Sequence, residues 1–188
     1  MKKCVFLLPL LALSGCAKDT NPPVASQLNH SQVHHQGTLS TSLTNEVPTP
    51  YSLNAGWRFV RDVEDRGALT QANWTEVTLP HTPKVEPMIV NNQWQGTAWY
   101  QRALPWSDSW QDKIVLIRFE AAMKVADVWL NGKKIGHHKG GYLPFTLDLT
   151  DHLQPGNNTL LVKLDNRDNE LIGPKPLSTL DFNTYGGL

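Results

Sequence analysis

One stretch of the chain decides the fold: Val125-Ala-Asp-Val-Trp-Leu-Asn-Gly-Lys-Lys-Ile-Gly136. Within it, Asn131-Gly132 separates two short runs that have the composition of β-strands. Asn and Gly both accept a positive φ, so this pair is the strongest short-range signal for a tight turn between antiparallel strands. The stretch therefore predicts a β-hairpin.

Short strand-like runs separated by turn residues continue on both sides of this hairpin. No window of ten or more residues carries a helical apolar stripe, whereas short strand-like runs recur, several of them alternating apolar and polar residues. These runs are Trp57–Val60, Trp74–Leu79, Thr97–Leu104, Ile114–Glu120, Tyr142–Leu149 and, after the turn residues Pro155-Gly156, Asn158–Asp165. About seven or eight strands over residues 52–188 predict an all-β fold, an antiparallel jelly-roll β-sandwich.

The aromatic residues give a first prediction of what fills this sandwich. We expect Trp99, Trp129 and Phe145 to lie in the core between the sheets, with a sugar-stacking platform as the minority alternative. The polar neighbours of three other tryptophans predict exposure instead, at Trp94, Trp106 and Trp110.

Composition excludes several classes of protein. The 188 residues carry 17 Lys and Arg against 17 Asp and Glu, and this zero net charge gives no electrostatic footprint for nucleic acid. Charged residues make up only 18%, which is unlike a coiled coil or a charge-rich disordered chain. Both cysteines lie within the first sixteen residues, so neither a disulfide framework nor a cysteine-based zinc site is expected.

The first residues have the features of a targeting signal. Lys2 and Lys3 precede a short apolar run, Val5–Leu13, that cannot span a bilayer as a mature helix. Leu13-Ser14-Gly15-Cys16 resembles a bacterial lipobox, so residues 1–16 are predicted to be a lipoprotein signal peptide cleaved before Cys16, which would carry the lipid. The alternatives are an ordinary signal peptide with a chance cysteine, or a buried apolar segment. The residue after the cysteine is Ala17 and not Asp, which resembles the pattern of lipoproteins sorted to the outer membrane. We therefore predict a lipid-anchored protein of the bacterial cell envelope, in the outer membrane.

Residues 17–50 differ in composition from the rest of the chain. Ser, Thr, Asn, Gln and Pro dominate, and such a stretch cannot bury enough apolar surface to offset its chain entropy. We therefore predict a flexible polar tether over residues 17–50 and a β-sandwich over residues 51–188. His30, His34 and His35 lie in the tether, but no carboxylate or cysteine completes a metal-ligand set beside them.

Several short motifs across residues 79–188 form an ordered series. They include Leu79-Pro80-His81-Thr82, Trp99-Tyr100-Gln101-Arg102, Phe119-Glu120-Ala121-Ala122, Gly140-Gly141-Tyr142-Leu143-Pro144-Phe145 and Asp181-Phe182-Asn183-Thr184-Tyr185-Gly186-Gly187-Leu188. In this order and spacing they resemble the N-terminal sugar-binding domain of glycoside hydrolase family 2, the β-galactosidase-like group. The resemblance implies a jelly roll of the galactose-binding-domain type. His81, which follows Pro80, is expected to be a turn histidine that bonds the backbone, with a ligand or a base as the alternative.

The resemblance also implies where catalysis occurs. Retaining hydrolysis uses two carboxyl groups, which in this family are Glu residues on a TIM barrel that follows the sandwich and an immunoglobulin-like domain. None of the six Glu of this chain stands in a recognisable catalytic setting, and a barrel alone needs about 200 residues. We therefore expect no catalytic residue in this chain, no activity of the chain alone, and an unpaired sheet edge where the family continues beyond Leu188.

Three hypotheses follow for function. The first is the sugar-binding domain of an exo-acting retaining β-glycosidase in carbohydrate breakdown, with β-galactosidase ahead of β-glucuronidase and β-mannosidase. The second is a stand-alone carbohydrate-binding envelope lipoprotein, and the third is an envelope structural protein. The expected partners are a β-linked saccharide, the membrane through the lipid, and the catalytic domains of the same polypeptide. The full-length enzyme is a candidate for homo-oligomer formation, whereas binding of nucleic acid is not expected.

Two residues are candidates for substrate contact. The resemblance implies that Asp181 reaches the mouth of the barrel, binds a sugar hydroxyl and in some members helps to hold a monovalent cation. It also implies that the loop of Gln93 places a polar amide in the sugar site. A turn-capping aspartate is the alternative for Asp181. No cofactor or metal is expected in this chain, although complete family members use sodium or magnesium.

Overall fold

The computed structural model describes residues 3–7, 50–86, 93–173 and 185–188, and for residues 3–7 it describes the backbone alone. The described residues belong to one compact unit, which contains Met1–Leu10 and Pro48–Leu188. Residues 11–47, and Cys16 among them, lie outside the described residues. The division into signal peptide, tether and sandwich stays a prediction.

A six-stranded antiparallel sheet forms the larger layer of the fold. Its strands in spatial order are β3 (Thr75–Val77), β2 (Trp57–Arg61), β4 (Thr97–Pro105), β9 (Asn157–Asp165), β6 (Val125–Leu130) and β7 (Lys133–Lys139). The longest pairing joins β4 and β9 from Thr97 opposite Asp165 to Pro105 opposite Asn157. Each strand corresponds to a run predicted from the sequence.

A three-stranded sheet forms the second layer. It consists of β1 (Lys3–Leu7), β5 (Lys113–Phe119) and β8 (Phe145–Asp148). β5 and β8 are antiparallel, whereas β1 runs parallel to β5, the one exception to the expected antiparallel pairing in the described residues. β1 falls within the predicted signal peptide and lies along an edge of β5. The helices in the described part of the chain are two short 3₁₀ helices, Arg66–Gln71 and Asp108–Trp110.

The predicted hairpin is confirmed. β6 and β7 pair across a turn in which Asn131 has a φ of 52° and Gly132 a φ of 81°, the two positive values that this kind of turn requires. The side chain of Asn131 donates a hydrogen bond to the backbone oxygen of His152 (3.1 Å), so the turn is also tied to the loop before β9.

The core lies between the two sheets and follows the two-residue period of the strands. On β9 the predicted inward residues Leu160, Val162 and Leu164 are all at most 1% exposed. The facing residues on β5 are Val115, Ile117 and Phe119, all buried. This confirms the β-sandwich.

The prediction that Trp99 and Trp129 fill this core is wrong. In β6 the buried core residues are Ala126, Val128 and Leu130, so Trp129 projects from the opposite face of the same strand. Trp99 likewise lies on the outer face of the six-stranded sheet, where the two indole rings pack with their centroids 5.5 Å apart. Trp99 is nevertheless 1% exposed, because it is covered on that outer face, and its Nε1 donates to the backbone oxygen of Val63 at 2.6 Å.

Of the other aromatic predictions, the one for Phe145 is confirmed and the one for three tryptophans is wrong. Phe145 packs against the core, stacked on Phe119 with a centroid distance of 4.8 Å. Trp94, Trp106 and Trp110 are half-buried, not exposed. Trp94 and Trp110 pack against the core cluster. The indole N–H of Trp106 donates to its neighbour Asp108 at 3.2 Å, whereas that of Trp94 donates to the distant Asp62 at 2.8 Å.

Candidate functional site

Segments from four of the sequence motifs meet at one end of the sandwich. They line a groove of about 440 Å³. The lining residues are Pro80, His81, Thr82, Ala121, Met123, Gly141, Tyr142, Tyr185, Gly186, Gly187 and Leu188. Positions far apart in the sequence thus form one surface, which is the candidate site, here called the motif groove.

Backbone hydrogen bonds hold the last residues of the chain in the motif groove. His81 N donates to Leu188 O at 2.8 Å, and Leu188 N donates to His81 O at 3.2 Å. Next to His81, the hydroxyl of Thr82 donates to Gly186 O at 3.2 Å, and on the other side of the segment Met123 N donates to Gly187 O at 3.1 Å. The Tyr185–Leu188 segment is therefore fixed from both sides.

Gly186 and Gly187 are required by this packing. They have φ values of 72° and 120°, in the region that favours glycine. A Cβ on Gly187 would overlap the backbone oxygen of His81, and one on Gly186 would lie 2.9 Å from Cβ of Asn166. The backbone of this pair therefore passes close to protein atoms of His81 and Asn166.

His81 is a structural residue of the motif groove, but its ring bonds a tyrosine hydroxyl where a bond to the backbone was expected. Its Nδ1 lies 2.9 Å from the hydroxyl oxygen of Tyr100, and its ring packs 4.6 Å from that of Phe59. Burial lowers the pKa of His81 below its ordinary value of 6.5, which favours the neutral ring. Burial also raises the pKa of Tyr100, so the hydroxyl stays protonated.

Asn166 connects the two segments that flank the predicted site residues. It is 2% exposed, and its Nδ2 lies 3.1 Å from the backbone oxygen of Trp94 and 3.4 Å from that of Tyr185. Its Oδ1 accepts from the backbone N–H of Gly96 at 2.8 Å. Asn166 was not predicted from the sequence, although its position directly after the alternating strand β9 is a signal that the amide could be buried.

Glu86 makes a second connection between the same segments. Its Oε1 accepts from the backbone N–H of Trp94 at 3.0 Å, and its backbone oxygen accepts from the hydroxyl of Tyr185 at 2.8 Å. Hydrogen bonds from Lys84 and from the Trp94 N–H hold the pKa of Glu86 below its ordinary value. Glu86 is therefore an ionised positioning group and not a proton donor.

The predicted contact residues have different outcomes. Gln93 is 4% exposed, so its side chain is buried and immediately precedes Trp94. Asp181 lies outside the described residues, four positions before Tyr185. The structure thus joins the chain next to Gln93 to the chain that follows Asp181. The roles of Gln93 and Asp181 stay predictions.

Metal and membrane features can be assessed for the same part of the chain. In residues 50–86, 93–173 and 185–188 no three His, Cys, Asp or Glu side chains are grouped so that they could hold a metal ion. Asp181, the residue that the family resemblance implies for a cation, lies outside these residues, so the cation stays an expectation. None of the described helices has the length and apolar character needed to cross a membrane.

Comparison with known proteins agrees with this geometry. Residues 68–173 match the family model described as glycosyl hydrolases family 2, sugar binding domain. The chain is 31% identical over 144 residues to a beta-galactosidase of Thermoanaerobacter pseudethanolicus, covering 73% of this chain and 19% of that protein. It is 33% identical over 139 residues to a beta-glucuronidase of Bacteroides fragilis, covering 72% of this chain and 19% of that protein.

A solved structure shows the same relationship. The beta-glucuronidase of Bacteroides uniformis matches with a TM-score of 0.63 and 34% identity, over 72% of this chain and 16% of that one. The chain therefore spans less than a fifth of the length of these relatives. On the evidence of the β-sandwich, the motif groove and the matched residues, the chain belongs to glycoside hydrolase family 2 and contains the sugar-binding domain of that family.

Proposed function

We propose that this chain is the sugar-binding N-terminal part of a lipid-anchored, exo-acting retaining β-glycosidase. The observation that supports this most directly is the connection of the Gln93 and Tyr185 segments through Asn166. It makes one rigid base for a site to which both segments contribute. The lipid anchor rests on the sequence from Leu13 to Cys16 alone.

In this proposal the sandwich binds the sugar and a further domain of the same polypeptide hydrolyses it. An ionised Asp181 would accept strong hydrogen bonds from sugar hydroxyls, and Gln93 would add an amide. Tyr142 and Leu143 border the same end of the sandwich and are 62% and 72% exposed, an apolar rim suited to contact with a catalytic domain.

The experiment for Asp181 uses the full-length enzyme that contains the barrel. Asp181→Asn should reduce kcat/KM by about 10- to 150-fold, the equivalent of about 1.5–3 kcal/mol for a hydrogen bond to a charged group. Asp151→Asn is the matched control, because Asp151 is exposed in the turn between β8 and β9. Unchanged kinetics of a folded Asp181→Asn enzyme would remove Asp181 from the site.

β-Galactosidase is the proposed activity, and β-glucuronidase is the second candidate because relatives with both names match this chain. Comparison of kcat/KM for an aryl β-galactoside and an aryl β-glucuronide in the full-length enzyme decides between them. The 188-residue chain alone should hydrolyse neither. Turnover by the purified chain that is lost when one of its own carboxylates is changed would contradict the proposed division of labour.

The anchor has an independent test. Cys16→Ser should abolish labelling by a clickable fatty acid in a bacterial host, whereas Cys4→Ser, a change in the same leader, should leave it intact. Equal labelling of both variants would refute lipidation at Cys16. If the chain binds sugar but the full-length polypeptide lacks glycosidase activity, a stand-alone carbohydrate-binding lipoprotein replaces the enzyme hypothesis.

A further inference from the structure

A second groove lies on the outer face of the six-stranded sheet, away from the core. It has a volume of about 390 Å³. Its lining residues come from β2, β4, β9 and the 3₁₀ helix Arg66–Gln71 with the chain after it: Arg58, Arg66, Leu69, Thr70, Trp74, Gln101 and Leu161. We call it the arginine groove. Its volume is within the range of small-ligand sites.

Each of its two arginines is held on an indole ring. The guanidinium carbon of Arg58 lies 5.6 Å from the ring centroid of Trp74, and that of Arg66 lies 5.7 Å from that of Trp129. One further hydrogen bond orients each group, from Arg58 Nη2 to Gln101 Oε1 at 2.6 Å and from Arg66 Nη1 to Gly132 O at 3.0 Å. Both arginines remain exposed, so a rigid fork of N–H donors is presented to solvent.

The charge of these arginines is not compensated within the groove. None of the lining residues is acidic, and neither arginine forms an ion pair in the part of the chain that the structure describes. The nearest carboxylate by strand register is Glu76, opposite Arg58 on β3. It lines an adjacent groove that shares Arg58 and Gln101. The arginine groove therefore favours an anion.

We propose that the arginine groove binds a uronate residue of an oligosaccharide. A guanidinium fork matches the two oxygens of a carboxylate, and Thr70 and Gln101 offer polar groups to sugar hydroxyls. Trp74, Leu69 and Leu161 supply apolar walls for the face of a sugar ring. The inference rests on the proposed sugar-binding role of the sandwich but not on the activity of a catalytic barrel.

The test measures binding to the 188-residue chain by calorimetry. The probe is an unsulfated chondroitin hexasaccharide, which carries β-glucuronate, and its matched neutral form has the carboxyl groups reduced to alcohols. We expect binding of the acidic probe only. Arg58→Gln and Arg66→Gln should each weaken it about three- to tenfold, a reduced effect for exposed charged groups. Lys139→Gln, an exposed cation outside the groove, should have no such effect.

A second variant changes affinity in the opposite direction. Glu76→Gln removes the carboxylate opposite Arg58 and should strengthen binding, which a merely unfolded variant cannot do. Equal binding of the neutral probe would overturn the proposal, as would Arg58→Gln and Arg66→Gln proteins that melt normally and bind normally. Equal or tighter binding of a hexa-aspartate peptide would also overturn it and assign the groove to an acidic polypeptide. No binding of the chondroitin probe to the folded chain would refute it outright.

Discussion

His81 and Leu188 exchange two backbone hydrogen bonds across 107 positions of sequence, with N···O distances of 2.8 and 3.2 Å. This reciprocal pair joins the motif after β3 to the last described residues. The Tyr185–Leu188 segment therefore pairs on both sides as a short strand would, with His81 on one side and Met123 on the other. The glycines that precede Leu188 determine whether this pairing forms.

Gly187→Ala should destabilise the sandwich by about 2–4 kcal/mol, because the φ of 120° is unfavourable for alanine and the new Cβ would overlap the backbone oxygen of His81. Gly156→Ala is the matched control. Gly156 also has a positive φ, 88°, but nothing lies within 4 Å of a Cβ there, so its cost should be about 1 kcal/mol. Urea unfolding of both variants provides the comparison, and equal losses would show that contact with His81 contributes nothing.

Asn166→Ala should cost about 2–4 kcal/mol, because it leaves the buried N–H of Gly96 and the carbonyl groups of Trp94 and Tyr185 without their amide partner. The loss should be local first, with faster hydrogen exchange at the amide of Gly96. Asn169→Ala is the control, since Asn169 is exposed and its side chain accepts from the N–H of the nearby Leu171 at 2.8 Å. Unchanged exchange at Gly96 in Asn166→Ala would exclude Asn166 as the connecting residue.

The strands and the hairpin could be predicted because their signals are local. Asn131-Gly132 specifies its turn through two positive φ values, and the alternation in β9 identifies Leu160, Val162 and Leu164 as inward. The same alternation places Trp129 outward once Val128 and Leu130 are inward. The error at Trp129 arose because side-chain size was given more weight than position in the strand.

The contacts of the motif groove could be predicted only in part. The family resemblance identified its segments, and His81 was expected to be structural, although its ring bonds the hydroxyl of Tyr100 and not the backbone as expected. Asn166 and Glu86 each bond at least one distant residue, Gly96 at 70 positions and Tyr185 at 99 positions, and no local pattern encodes such pairings. The stacking of Arg58 on Trp74 likewise depends on the path of the chain after β2.

The stability of the sandwich should decrease as the pH falls below about 6.5, the ordinary pKa of histidine, with a contribution from His81. Burial gives His81 a lower pKa in the folded state than in the unfolded state, so the unfolded chain binds more protons in this interval. The contribution is fully present above the unfolded pKa and is lost as the pH falls through the folded pKa. Melting temperatures between pH 8 and pH 5 measure it.

His81→Gln isolates this contribution. The variant should melt at a lower temperature at every pH, because the ring contacts with Phe59 and Tyr100 are lost, but its melting temperature should depend less on pH in this interval. Asp127 does not interfere: despite the opposing effect of burial, hydrogen bonds from Lys134 and His137 lower its pKa below 3.8. An identical pH slope with and without His81 would contradict the assignment.

Lys124 is a buried cation, and its ion pair gives the last prediction. The Lys124 side chain is 1% exposed, and its Nζ lies 3.1 Å from Oδ1 of Asp168, whose side chain is 27% exposed. Removing one partner of such a pair leaves a desolvated charge, whereas replacing the lysine with an apolar residue of similar length removes the charge as well. Asp168→Ala should therefore destabilise the sandwich by about 2–4 kcal/mol, and Lys124→Met by less than about 1 kcal/mol.

Urea unfolding of the two single variants and of the double variant tests this asymmetry. In the double variant the loss caused by Asp168→Ala should largely disappear, because no buried ammonium remains to be compensated. Additive losses in the double variant would show that Lys124 and Asp168 contribute independently, and a larger loss for Lys124→Met than for Asp168→Ala would reverse the argument.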